Sequence, residues 1–102
     1  MQSDVQDFKL QYKRKVCEMI SVIVPVFNEE DNLLEFNRRL SVVVNTLNEP
    51  FEVMYVDDGS TDNSYNILVS VAKDNDNIHV LGFNKNYGQT FAFKAGLDYS
   101  KG

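Results

Sequence analysis

The sequence predicts an α/β protein in three layers, with a parallel sheet of about three strands between helices on its two faces. Three short apolar runs, at Ile20–Val26, Phe51–Val56 and Ile78–Leu81, each lead into a polar loop. A segment with apolar residues at helical spacing follows each loop, so the order along the chain is β-α-β-α-β-α. Strands that alternate with helices pair in parallel through right-handed crossovers.

Residues 1–18 are polar and of mixed charge. Phe8, Tyr12, Val16 and Met19 recur at helical spacing, which predicts an irregular leader or a short amphipathic helix. The domain itself is therefore expected to span residues 19–102.

The first strand and helix have clear signals. Ile20–Val24 is almost wholly apolar and rich in β-branched residues, which is typical of a strand covered on both faces. Asn28 or Asp31 is expected to cap the next helix, with the acidic residues 29–31 in its first turn. The helix should end before Pro50. Its predicted apolar stripe comprises Leu33, Phe36, Leu40, Val43, Val44 and Leu47.

The second and third units repeat this pattern. Phe51–Val56 is the second predicted strand, and Ser60 or Thr61 is expected to cap the helix after it. Ile78–Leu81 is the third strand, and the loop after it runs from Gly82 to Gly88. The predicted buried faces are Ile67, Leu68, Val71 and Ala72 in the second helix, and Phe91, Ala92, Ala95, Gly96 and Tyr99 in the third.

Composition excludes several classes of protein. The chain has 102 residues, 43% of them hydrophobic, and a net charge of −5. Its basic residues are scattered except at residues 13–15, which argues against nucleic acid as the main partner. No apolar run approaches the roughly 20 residues that span a bilayer. The single Cys17 fits a reducing compartment, so a cytoplasmic location is expected.

Asp57 and Asp58 are the strongest candidates for a binding site, because they follow a buried strand directly. Neighbouring residues of an extended segment point to opposite sides. One carboxylate is therefore expected to accept hydrogen bonds from a ligand, and the other to fix the loop. An acidic turn ahead of Gly59, with no ligand, is the structural alternative.

Three segments, in order, resemble the signatures of the family 2 glycosyltransferases, which are inverting enzymes of GT-A fold. They are residues 20–30 (ISVIVPVFNEE), 56–62 (VDDGSTD) and 84–90 (NKNYGQT), the last followed by AGLD at 95–98. The resemblance covers about residues 19–102, which correspond to the nucleotide-binding N-terminal half of such an enzyme. The third segment is most similar to the branch that glycosylates polyprenyl phosphates, including dolichol-phosphate mannosyltransferase. The related fold orders its first strands 3-2-1.

The resemblance implies a pocket for the base and ribose of a UDP- or GDP-linked sugar. Pro25, Phe27 and Glu29 would line this pocket, although Phe27 could equally be a core residue and Glu29 a partner of the helix dipole. Asp58 would contact the nucleotide, with Val56 packed nearby. Asp57 belongs to the same expected nucleotide site.

Residues after the third strand are expected to complete the pocket. Lys85 is a candidate partner for the diphosphate, or else a plain surface lysine. Gly88 permits close backbone approach at a helix start that favours anions, and Gln89 adds a polar contact.

The family places a divalent metal, Mg or Mn, on an Asp-x-Asp motif after a further strand, and its catalytic base later still. Asp74-Asn75-Asp76 lies in a turn and does not fit that motif. No catalytic residue and no metal ligand is therefore expected in this chain, which alone should be inactive. For the full enzyme the resemblance implies a polyprenyl-phosphate or glycan acceptor and attachment to the cytoplasmic membrane face.

Two further expectations remain open. A non-catalytic binding or assembly module, such as a receiver-like signalling domain, is the alternative to an enzyme fragment. A dinucleotide-binding domain is disfavoured because no Gly-x-Gly-x-x-Gly follows the first strand. If the first strand lies at an open edge, the chain is expected to self-associate through it or to cover it with the leader.

Overall fold

The computed structural model describes residues 19–100, and these form one parallel sheet with three helices. The strand order is β1-β2-β3, the predicted 3-2-1 order read from the other edge. The α/β prediction is thus confirmed, whereas the expectations for residues 1–18 lie outside the described part. The elements are β1 (Ile20–Val26), α1 (Leu33–Asn45), β2 (Phe51–Asp57), α2 (Ser64–Lys73), β3 (Ile78–Gly82) and α3 (Gln89–Tyr99).

The sheet has an apolar core on each face, as alternating side chains of a strand require. On one face Val53 and Tyr55 of β2 pack in a cluster with Leu33 of α1 and Leu68 of α2. On the other face Met54 and Val56 pack with Ala92 of α3. Helices on both faces are therefore confirmed.

Small residues let α3 lie close to the sheet. A Cβ atom at Gly96 would stand 2.5 Å from Cγ2 of Ile23, and Ala92 is fully buried. Phe91 and Tyr99, which the sequence assigned to the buried face, are exposed. That part of the prediction was wrong because large side chains do not fit between the helix axis and the sheet.

The predicted helix caps were wrong. α1 begins after Asn32 and α2 after Asn63, and neither residue makes a side-chain cap hydrogen bond. Asn28 and Ser60, which the sequence offered as caps, instead make hydrogen bonds between the two loops. Both helices consequently start later than predicted.

Among residues 19–100, β1 is an edge strand. Ile20 N donates to Pro50 O over 3.0 Å and Val26 O accepts from Asp58 N over 2.8 Å, so even-numbered residues of β1 pair with β2. The backbone N–H and C=O groups of the odd-numbered residues therefore point toward the open edge of the sheet. The last of these residues, Pro25, has no N–H to offer another strand. Association through this edge stays a prediction. No helix in the described range is long and apolar enough to cross a bilayer.

Candidate functional site

Three loops meet at the carboxyl ends of the strands: residues 27–32, 58–63 and 83–88. Parallel sheets bind ligands at this edge because strand ends and helix starts converge there. The loops enclose an open cleft of about 340 Å³, within the range of small-molecule sites. Its lining residues are Pro25, Val26, Phe27, Glu29, Asp58, Asn86, Gly88 and Gln89.

The first and second loops are joined by hydrogen bonds around Asn28. Ser60 Oγ accepts a hydrogen bond from Asn28 N over 2.9 Å, and Thr61 N donates to Asn28 Oδ1 over 2.8 Å. Asn28 adopts φ 51°, a left-handed conformation that asparagine tolerates better than most residues. This backbone turn directs the chain between Phe27 and Glu29 along the cleft.

A second set of hydrogen bonds joins the same loops nearer the helices. Glu29 N donates to Ser64 Oγ over 2.8 Å, and Asn63 N donates to Glu30 Oε1 over 2.9 Å. Asp62 accepts from Glu30 N and Ser64 N. Desolvation raises the pKa of the Asp62 carboxyl, but the hydrogen bonds from Ser64 and Glu30 outweigh it and leave that pKa lowered. These hydrogen bonds to residues 62–64 hold Glu29 and Glu30 in place, so this side of the cleft is fixed by the protein itself.

Asp57 is buried and holds its own turn. Its carboxylate accepts a hydrogen bond from Ser60 Oγ over 2.5 Å and one from Ser60 N over 3.2 Å. It lines an adjacent cleft, together with Tyr65 and Asn84, instead of the first one. The structural alternative, an acidic turn, describes Asp57 well, and its nucleotide contact stays a prediction.

Asp58 is only 3% exposed and faces the third loop. Its Oδ1 accepts a hydrogen bond from Tyr87 N over 2.7 Å, and its Oδ2 accepts one from Gly88 N over 2.9 Å. Asn86 Nδ2 donates to Asp58 Oδ2 and to Asp58 O, each over 3.1 Å. The carboxylate therefore lines the cleft and at the same time binds the loop on its far side.

Gly59 brings the second and third loops into contact. It has φ 74°, and a Cβ atom there would stand 2.2 Å from the carbonyl carbon of Lys85 and 2.5 Å from Asn86 N. No other residue type fits this approach without moving one of the loops. Gly59 itself lines the cleft that contains Asp57.

Val56 and Lys85 lie outside the cleft lining. Val56 is fully buried beneath it, in the core under α3. Lys85 Nζ lies 5.2 Å from the ring centre of Tyr87, in an aromatic cluster with Phe83 and Phe91. Both assignments to the nucleotide site stay predictions, and for Lys85 a swing of its side chain would be needed.

The sequence reasoning missed Asn86 as a cleft residue. Its position between Lys85 and Gly88, in a segment already identified as a site loop, was the signal that could have found it. Its amide group supplies both a donor and an acceptor.

The carboxylates of Asp57 and Asp58 are engaged by hydrogen bonds from the protein itself. Both oxygens of Asp58 and both of Asp57 accept hydrogen bonds from protein donors. Within residues 19–100, no three His, Cys, Asp or Glu side chains gather closely enough to hold a metal ion.

The chain is similar to known proteins both in sequence and in structure. The family model described as "Glycosyl transferase family 2" matches residues 21–102. Among solved structures, the chain is similar to that of S. aureus TarS 1-349, with 31% sequence identity and a TM-score of 0.62. The match covers 82% of this chain and 25% of that one, so the chain spans about a quarter of the structure it resembles.

Proposed function

Because the chain belongs to glycosyl transferase family 2 and has the Rossmann-like GT-A arrangement of strands, we propose that its cleft binds the nucleotide of a sugar-nucleotide donor. One observation carries the proposal. Of the residues expected at the nucleotide site from sequence alone, Pro25, Phe27, Glu29, Asp58, Gly88 and Gln89 line a single cleft.

The lining suits a base and a ribose. Phe27 is 44% exposed, and its ring offers a flat apolar surface on which a base can stack. The carboxylate of Glu29 can accept hydrogen bonds from ribose hydroxyls, and the amide groups of Asn86 and Gln89 can pair with polar edges of the base. The lining is mixed, with an apolar side formed by Pro25, Val26 and Phe27 beside several polar side chains, so it can contact both the base and the ribose.

The diphosphate is expected to lie toward the start of α3. That helix begins after Gly88 without a side-chain cap, so the amide groups of its first turn are suited to an anion. A Cβ atom at Gly88 would meet nothing within 4 Å, which leaves room at this helix start. Lys85 can approach the diphosphate from beside Tyr87 as a point charge.

For the whole protein we propose transfer of a sugar from a UDP- or GDP-linked donor to a polyprenyl phosphate or glycan, at the cytoplasmic face of a membrane. The polyprenyl-phosphate branch is proposed from residues 84–90. The chain described here would supply donor contacts without carrying out the transfer alone. Because the chain belongs to this family, we prefer this proposal to the alternative of a receiver-like signalling domain.

Calorimetric titration with UDP, GDP and their sugars tests the proposal. At least one nucleotide should bind saturably, and Phe27→Ala should weaken that binding because the stacking surface is lost. Phe93→Ala is the matched control, since Phe93 is 46% exposed but lies on α3 away from the cleft lining. A folded chain that binds none of these nucleotides would contradict the proposal, and so would equal losses in the two variants.

A further inference from the structure

We infer that Asp58 is a positioning residue, whose carboxylate holds residues 84–88 against the cleft and so acts on the bound nucleotide through that loop. The inference rests on the proposed nucleotide site, and it assigns Asp58 a role in addition to the direct contact expected from sequence. The structural part of the inference, that Asp58 holds the loop, can be tested without any nucleotide.

The hydrogen bonds of the loop are the first argument. In the described part of the chain, every hydrogen bond that residues 84–88 donate ends on Asp58. Two of the donors are the consecutive backbone amides of Tyr87 and Gly88, which together form the kind of cradle that binds anions. An ionised carboxylate has about four acceptor positions, and this one loop fills three of them.

The position of the loop in the cleft is the second argument. Asn86 and Gly88, which donate to Asp58, are themselves cleft-lining residues, and Gln89 follows directly. Gly88 adopts φ 106° and ψ 151°, a backbone conformation open to glycine, and α3 begins at the next residue. If the carboxylate releases the loop, one wall of the cleft and the start of α3 lose their fixed position together.

The third argument is the packing contact between Gly59 and the same loop. The backbone of Lys85 and Asn86 packs directly over Gly59, the residue after Asp58. Asp58 therefore binds the loop through hydrogen bonds, and the missing side chain of Gly59 allows the loop backbone to pack closely beside it. A variant at Gly59 can move the loop without changing Asp58 or any cleft-lining side chain.

Asp58→Asn in the full chain tests the inference. The substitution preserves size but sets an NH₂ group against a donor, either Tyr87 N or Gly88 N. In ¹H–¹⁵N spectra of the free protein, the amide signals of Tyr87 and Gly88 should move and exchange faster with solvent. Asp98→Asn, which removes an exposed carboxylate on α3, should leave both signals in place.

Nucleotide affinity supplies the second measurement. Asp58→Asn should weaken binding at least about tenfold, equivalent to about 1.4 kcal/mol. Gly59→Ala, in which Asp58 is intact, should weaken it as well. Unchanged amide signals in Asp58→Asn would overturn the inference, and so would wild-type affinity in a folded Gly59→Ala variant. If the wild type binds no nucleotide, the proposed function fails, while the amide signals still decide whether Asp58 holds the loop.

Discussion

Replacing Gly59 by alanine probes the contact on which the cleft depends. The left-handed backbone at φ 74° costs alanine about 1–2 kcal/mol. The new Cβ would also stand 2.2 Å from the carbonyl carbon of Lys85, and this backbone must move away. Overpacking of this kind costs about 1–3 kcal/mol. We therefore expect a loss of about 2–5 kcal/mol from the free energy of unfolding.

Urea unfolding followed by circular dichroism measures this loss, and Gly88→Ala is the matched control. Gly88 also has positive φ, but a Cβ atom there meets nothing within 4 Å, so that variant carries backbone strain alone. At Gly88, where φ is 106° and ψ is 151°, this strain is about 1–3 kcal/mol for alanine. Gly59→Ala, with a total of about 2–5 kcal/mol, should therefore lose about 1–2 kcal/mol more because it adds the clash. Equal losses in the two variants would refute the reasoning that the loops meet at Gly59.

Three further outcomes follow from the structure. Ser64→Ala removes the fully buried hydroxyl that accepts a hydrogen bond from Glu29 N. In urea titrations the free energy of unfolding should fall by about 1–3 kcal/mol, and a loss below about 0.5 kcal/mol would argue against that hydrogen bond. Desolvation raises the pKa of Tyr55 to about 12 from 10.0, so its contribution to stability is complete below pH 10.0 and is lost as pH rises through about 12. Unfolding across this range should separate the wild type from Tyr55→Phe, and a pH-independent difference would contradict the assignment. Hydrogen bonds from two arginines lower the pKa of Glu35 to about 2, so its contribution is present above 4.5 and lost as pH falls through about 2; an NMR titration midpoint near 4.5 would be inconsistent with those bonds.

The strands and their order follow from local properties of the sequence. Val53 and Tyr55 alternate with Met54 and Val56, and each set finds an apolar partner layer, so the run could only be a strand covered on both faces. Helix starts could not be predicted in this way. Ser60 looked like a cap because capping is a local preference, but its hydroxyl is used by a loop that is distant in sequence.

The candidate site was partly predictable for the same reason. Parallel strands end at one edge, so Pro25, Glu29 and Asp58 had to lie near one another. The partners of Asp58 could not be predicted, because two of them are backbone amides about 30 residues further along the chain, which carry no side-chain signal. The sequence led us to expect a close backbone approach at Gly88, whereas the structure has it at Gly59, where a Cβ atom would stand 2.2 Å from the carbonyl carbon of Lys85.

The most direct test of the central claim is a crystal structure of the protein with a bound UDP or GDP. We expect the base to stack on Phe27, with the ribose near Glu29 and the loop of residues 84–88 still bound to Asp58. A nucleotide found instead in the adjacent cleft beside Asp57 and Tyr65 would contradict the account.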